Sequence, residues 1–311
     1  MKIKKKKKIL VLLDGSDRSL GTVRYLARME PFADMDIVLF NVLNTAPESY
    51  WDLETDPSSI SAVRQVRAWE IQQRKEIEQH MQMARQLLVK RGVPSKSIKM
   101  KIQKRKRGIA RDIIFESHKG YDFLVTRRRG MSRLRGLVLG SVTTKLVEKI
   151  SFIPLILAGR IPPGNKLMIA FDGSDGAWQS VEFVGSTMGQ FDYEVKLVHV
   201  IRGNGKALSG LRQKGGSEKY SRFAERKMNV SMEIAKKKLI DLGLKPGRVS
   251  TKIIKGAASR AQALTKEASQ ANHGTIVLGR RGMSKVSDFI IGRVTNKIIH
   301  LARDRTIWII R

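Results

Sequence analysis

Residues 127–150 read RRRGMSRLRGLVLGSVTTKLVEKI, and residues 279–302 read GRRGMSKVSDFIIGRVTNKIIHLA. Upstream of each, ILVLLDGSDR at 9–18 is answered by LMIAFDGSDG at 167–176. Asp14 and Asp172 lie 158 residues apart, while Gly130 to Gly282 and Gly140 to Gly292 each span 152. Two matches in the same order at nearly one offset mark a duplicated domain, and the period is too long for a solenoid. The stretch 160–166, RIPPGNK, carries two prolines and a glycine and reads as the linker. The expected domains are therefore 1–160 and 161–311, in keeping with a soft prior of about 150 residues per domain.

Within each copy, short apolar runs alternate with amphipathic stretches. In the first, strands are expected at Lys8–Leu13, Asp36–Leu43, 98–103, Asp122–Thr126 and Phe152–Ala158. Helices are expected at Asp17–Met29, around 62–91, at 109–118 and at 141–150, with Ser16 or Asp17 as the first N-cap. The second copy repeats the strands near 166–171, 193–200, 248–254, 274–279 and 305–310. Strands alternating with helices predict an α/β fold: two tandem, doubly wound, open parallel sheets of five strands, of Rossmann-like type, covered on both faces. Ligands in such folds sit beyond the carboxyl ends of the strands, at the switch point of strand order. Asp14 and Asp172 follow strand 1 and the glycine loops follow strand 4, so two distant segments should meet at one site.

The chain has 311 residues, 60 Lys and Arg against 28 Asp and Glu, and a formal net charge of +32. Of these, 33 basic and 16 acidic residues fall in 1–160, so the excess is spread over both copies. It predicts attraction to polyanions such as nucleic acid or nucleotide phosphate. Hydrophobic residues make up 41%, enough for packed cores. With no cysteine, thiolate catalysis, disulfides and cysteine-held metals are excluded, and a reducing compartment is expected. The apolar run Ile9–Leu13 is too short for a secretory core, and no run approaches the roughly 20 residues of a membrane span. A cytoplasmic protein without membrane insertion is the expectation.

The loop Arg127–Gly130, nine residues, then Gly140-Ser141-Val142 at a helix start has the makings of a phosphate cradle. Glycine lets the backbone approach an anion closely, the first helical amides lack intrahelical partners, and the helix dipole favours negative charge there. Ser141 adds a hydroxyl. Taken alone, the glycines could equally make only turns.

The pattern Gly-x2-Gly-x9-Gly-Ser/Thr after strand 4, with an aspartate after strand 1, resembles the universal stress protein family in its tandem form, over nearly the whole chain. The resemblance implies an adenine-nucleotide-binding fold, often for ATP (ADP or AMP otherwise, with magnesium where the phosphates carry it). It also implies domains or subunits paired through the last strand, and a stress-response role without a defined reaction. Carried over, Asp14 and Val42 would meet base and ribose, and Gly130, Gly140, Ser141 and Val142 would hold phosphates. The second copy supplies Asp172, Val200, Gly279, Gly282 and Gly292. Each copy departs once: Arg127 replaces the first glycine of copy one, and Arg293 replaces the terminal hydroxyl of copy two. Either arginine could pair with phosphate or fill the pocket. Copy one is expected to serve phosphate better, copy two ribose. The apolar strands Ile153–Ala158 and Thr306–Ile310 are expected to pair with each other across the linker, a homodimer being the other use of those edges.

Five histidines (His80, His118, His199, His273, His300) show no ligand-pair spacing, and no nucleophile elbow or Walker A loop is present. Asp14 and Asp172 read as base-contacting or helix-capping rather than catalytic. Binding without turnover is therefore expected. The competing class is a nucleotide-independent basic scaffold for RNA, the ribosome or another polyanion, with Arg127–Arg129 facing the ligand. Against sequence-specific reading, aromatics are only 6%, which leaves few stacking platforms.

Overall fold

The computed structural model describes residues 6–46, 59–128, 139–160, 162, 164–203, 216–283 and 290–311. Gly130 lies outside them. The chain divides into two compact units, Met1–Lys149 and Ile150–Arg311.

In the first unit, β1 (Lys8–Leu12), β2 (Asp36–Leu43), β3 (Ile98–Lys104) and β4 (Phe123–Arg127) form a parallel sheet in the order β3-β2-β1-β4. Ile9, Leu10, Val11, Phe123, Leu124 and Val125 are fully buried, as continuous apolar runs in a sheet covered on both faces must be. The edge strand β3, IKMKIQK, is mostly open, and its lysines guard the edge. The helices are α1 (Asp17–Leu26), α2 (Glu30–Ala33), α3 (Ile60–Val89), α4 (Ile109–Ser117) and α5 (Ser141–Lys149). The short α2 was not expected; Pro31 ends the longer helix predicted over Asp17–Met29 and opens a new turn from Glu30.

The second unit holds β5 (Leu155–Ala158), β6 (Lys166–Ala170), β7 (Glu194–Arg202), β8 (Val249–Ala257), β9 (Thr275–Gly279) and β10 (Thr306–Ile310) in the order β5-β10-β9-β6-β7-β8. Its helices are α6 (Asp175–Met188), α7 (Gly216–Asp241), α8 (Arg260–Gln270) and α9 (Arg293–Leu301). All ladders are parallel except β5 on β10, where Leu157 faces Ile307 and Leu155 faces Ile309. The two closing strands of the repeats thus pair, as the resemblance implied. Thr306 Oγ1 accepts from Gly159 N at 3.0 Å, and Arg160 bonds Asp304 beside it. Trp308, in the middle of β10, is fully buried with its ring 5.6 Å from that of Phe183.

Each copy buries one glutamate and satisfies it with lysines. Glu116 takes Lys101 at 2.7 Å, Lys119 at 2.9 Å and the Tyr121 hydroxyl at 2.8 Å. Glu267 takes Lys252 at 2.6 Å and Lys196 at 3.3 Å. Burial alone would raise both acids, but these hydrogen bonds outweigh it and hold them below the usual carboxylate range.

Candidate nucleotide site

After strand 1, each copy makes the same Asp-Gly-Ser turn. Gly15 and Gly173 both have φ of +81°, a left-handed conformation that side chains rarely adopt. The turn folds the serine back on the aspartate: Ser16 Oγ donates to Asp14 Oδ1 at 2.6 Å, and Ser174 Oγ to Asp172 Oδ1 at 2.5 Å. The serines are the N-caps, accepting from Ser19 N and Ala177 N. The aspartates therefore do not cap the helices directly. One carboxylate oxygen orients the cap, and in the second copy Oδ2 lies against the glycine loop.

That second contact joins the two distant segments. A methyl group on Gly282 would stand 2.5 Å from Asp172 Oδ2, so only a glycine lets the loop lie against the carboxylate. Gly279 is as tight: a side chain there would reach the Gly176 carbonyl carbon at 2.7 Å. The loop returns to start α9 through Gly292 N, which donates to Arg280 O at 2.8 Å, and Thr295 Oγ1, which donates to Gly279 O at 2.8 Å. Copy one makes the same latch, with Gly140 N on Arg128 O at 2.8 Å and Thr143 Oγ1 on Arg127 O at 3.0 Å. Gly292 is the N-cap of α9 and offers its first amides no side-chain cap.

Over these elements in the second unit opens a cleft of about 540 Å³. All six candidates of copy two, Asp172, Val200, Gly279, Gly282, Gly292 and Arg293, line it. His199 lines it too; its Nδ1 lies 2.8 Å from Phe171 O, so Nδ1 carries the proton and donates. Burial pushes its pKa down, against the Phe171 bond and the charge of Asp172. In copy one the same bond is made by Asn41 Nδ2 to Leu13 O at 2.7 Å, and the buried Asn41 Oδ1 has no hydrogen-bond partner among the described residues. Histidine and asparagine thus do one job, tying strand 2 to the end of strand 1.

The structure revises the expectation that Arg127–Arg129 face a ligand for the first two of them; Arg129 lies outside the described residues. The middle arginine is interior: Arg128 is 6% exposed and its counterpart Arg280 is 5% exposed. Arg280 donates to Ile290 O at 3.1 Å and Ile150 O at 2.8 Å, so it fastens the loop from beneath. Burial, with the nearby Arg281 charge, lowers its pKa. Arg127 turns onto α1, its guanidinium against Gly21. Asp14 and Gly140 are half-buried, Val42 is buried and Ser141 is exposed at the start of α5. In sequence terms these anchors left one signal, the repeated Arg-Arg-Gly; nothing in it distinguishes a buried guanidinium from a solvated one.

A doubly wound α/β fold with its cleft beyond the strand ends defines a class of small-ligand-binding domains. The universal stress protein family model matches residues 6–156 and 164–304, and the chain belongs to that family. Among solved structures, a universal stress protein from Archaeoglobus fulgidus is similar over 98% of this chain and 96% of its own, with 18% identity and a TM-score of 0.59. A functionally unknown protein from Pseudomonas aeruginosa is similar over 98% and 92%, with 12% identity and a TM-score of 0.59. A universal stress protein solved in complex with cAMP is similar over 47% of this chain and 96% of its own, with 14% identity and a TM-score of 0.34. No curated protein matches the sequence. No helix among the described residues is long and apolar enough to cross a membrane.

Proposed function

We propose that the chain binds an adenine nucleotide, ATP first among them, in the cleft of the second copy, and acts in the cytoplasm as a non-catalytic stress-response protein. The observation that carries this reading is the meeting of Asp172 with Gly282 inside a cleft of about 540 Å³. That volume falls within the roughly 300–1,000 Å³ of small-molecule sites. Asp172 Oδ2 would accept from the ribose hydroxyls, and the end of β7 at Val200 would meet the base. The loop at Gly282 and the first amides of α9, with Arg293, would hold phosphates.

The donor set fits a nucleotide better than a metal. Among the described residues no three acidic or histidine side chains gather. Magnesium brought by ATP would therefore be held through its phosphates. Among the described residues that line the cleft, Asp172 Oδ1 is engaged by Ser174 and His199 Nδ1 by Phe171, which argues for binding over acid–base work. What the nucleotide supplies is then charge and contact, ordering the loop and changing the surface offered to a partner.

The test is to wash the protein in high salt, denature it and identify released small molecules by mass spectrometry, followed by ATP titration. About one adenine nucleotide per chain, lost in Asp172→Ala, is expected. Protein that is empty and takes up no ATP would return the reading to a basic scaffold. Sustained ATP hydrolysis abolished by the same substitution would make it an enzyme.

A further inference from the structure

Among the described residues, the cleft of the second unit is lined by five cations, Arg202, Arg260, Arg281, Arg293 and Lys297, and one carboxylate, that of Asp172. They do not sit together. Arg281 follows β9, and Arg293 and Lys297 belong to α9, so these three surround the phosphate end described above. Arg202 ends β7 and Arg260 opens α8, with Arg260 Nε 3.4 Å from Val200 O. In the strand order β9-β6-β7, a whole strand separates the two groups, on the order of 10 Å at about 4.8 Å per strand.

Comparison of the copies shows that the second group is particular to this cleft. Lys145 stands at the place of Lys297 and Arg129 at that of Arg281, whereas Asn44 and Ile109 stand at those of Arg202 and Arg260. The ladder bends to present Arg202: the β7–β8 register shifts between Val200 and Arg202. Arg202 and Arg260 are exposed within a concave site, where a guanidinium still offers its fork to phosphate oxygens.

Building on the proposed nucleotide site, we infer that the cleft takes a nucleoside with phosphate on both sides of it, of the chemistry of adenosine 3′,5′-bisphosphate. A nucleoside triphosphate concentrates its charge at one end and leaves Arg202 and Arg260 facing an uncharged base. A ligand phosphorylated at the 5′ and 3′ positions meets both cation groups and keeps its ribose 2′-hydroxyl as the donor to Asp172 Oδ2. The same chemistry is found in a free bisphosphate and in a short nucleic-acid end.

The experiment is calorimetric titration of the full chain at fixed salt with ATP, ADP, adenosine 3′,5′-bisphosphate and the dinucleotide pApA. ADP carries two phosphates at one end and serves as the control. The bisphosphate is expected to bind about tenfold more tightly than ADP, as added charge-assisted bonds allow. The double variant Arg202→Gln, Arg260→Gln should erase that advantage while leaving ATP and ADP within about twofold, with an unchanged unfolding midpoint. Tighter binding of pApA with the same arginine dependence would support the two-ended chemistry and assign its source to nucleic-acid ends. Equal affinity for bisphosphate and ADP, or equal weakening of ATP and bisphosphate in the variant, would overturn the inference alone. Failure of the unaltered protein to bind any of the four would overturn it together with the nucleotide site beneath it.

Discussion

The guanidinium of Arg127 occupies the space that a side chain on Gly21 would need. The second copy reverses the sizes: Gly279 replaces Arg127, and Gln179 replaces Gly21. Gly279 instead lies against the backbone of Gly176, where copy one has Arg18. Each strand-4 end is therefore fitted against its own first helix. The departure of copy one from the family's glycine pattern is half of a complementary pair.

These contacts set two substitutions apart. Gly21→Ala meets only the far end of a flexible side chain and gains helix propensity, so it should be neutral or stabilising by up to about 1 kcal/mol. Gly279→Ala meets backbone at 2.7 Å and should destabilise by about 1–3 kcal/mol. Urea denaturation of the two variants measures the difference.

Gly282→Ala should act on ligand binding more than on folding. Its methyl group would stand 2.5 Å from Asp172 Oδ2, and the carboxylate must swing away from the cleft. We expect nucleotide affinity to fall at least about tenfold, near 1.4 kcal/mol, with the unfolding midpoint nearly unchanged. Calorimetric titration beside a urea curve checks both.

His199→Asn should be tolerated, because Asn41 makes the corresponding bond in copy one. His199→Ala should cost about 1–3 kcal/mol by leaving the Phe171 carbonyl without its donor. Equal stability of the Asn and Ala variants would show that this bond contributes nothing.

His273 gives the second unit a pH dependence. Burial, with Lys196 adding to it, lowers its pKa to about 4. The folded state therefore keeps this ring neutral where the unfolded chain protonates it. Stability is fully present above the unfolded value near 6.5 and falls as pH drops toward about 4. His273→Tyr, which copies Tyr121 of the first unit, should flatten the urea-midpoint profile between pH 6.5 and 4.

Much of this was legible in the residues. Asp36–Leu43 was read to the residue, because its apolar run ends sharply, and the Asp-Gly-Ser and glycine-loop repeats marked two segments that meet. The N-cap was ambiguous between Ser16 and Asp17 because both types cap helices; the left-handed glycine before Ser16 decides it. Arg127–Arg129 read as facing a ligand, and what holds the buried Arg280 of the other copy is carbonyls such as Ile150 O, distant from it in sequence. Arg202 and Arg260 carry no signal in the sequence, because each is an ordinary surface arginine until β7 and α8 converge. The residues alone leave Arg127 open between phosphate and pocket, and Gly21, which receives it, belongs to no motif.

The antiparallel joining of β5 to β10 also sets the order in which the molecule can be finished during synthesis. Gly159 leaves the ribosome 147 residues ahead of Thr306, the residue whose hydroxyl receives its amide. Until Thr306–Ile310 follows, β9 and β5 both lack the strand that lies between them. Deletion of Thr306–Ile310 would remove only the residues of one short strand. It would nonetheless take out an interior strand carrying fully buried Trp308 and split the sheet of the second unit.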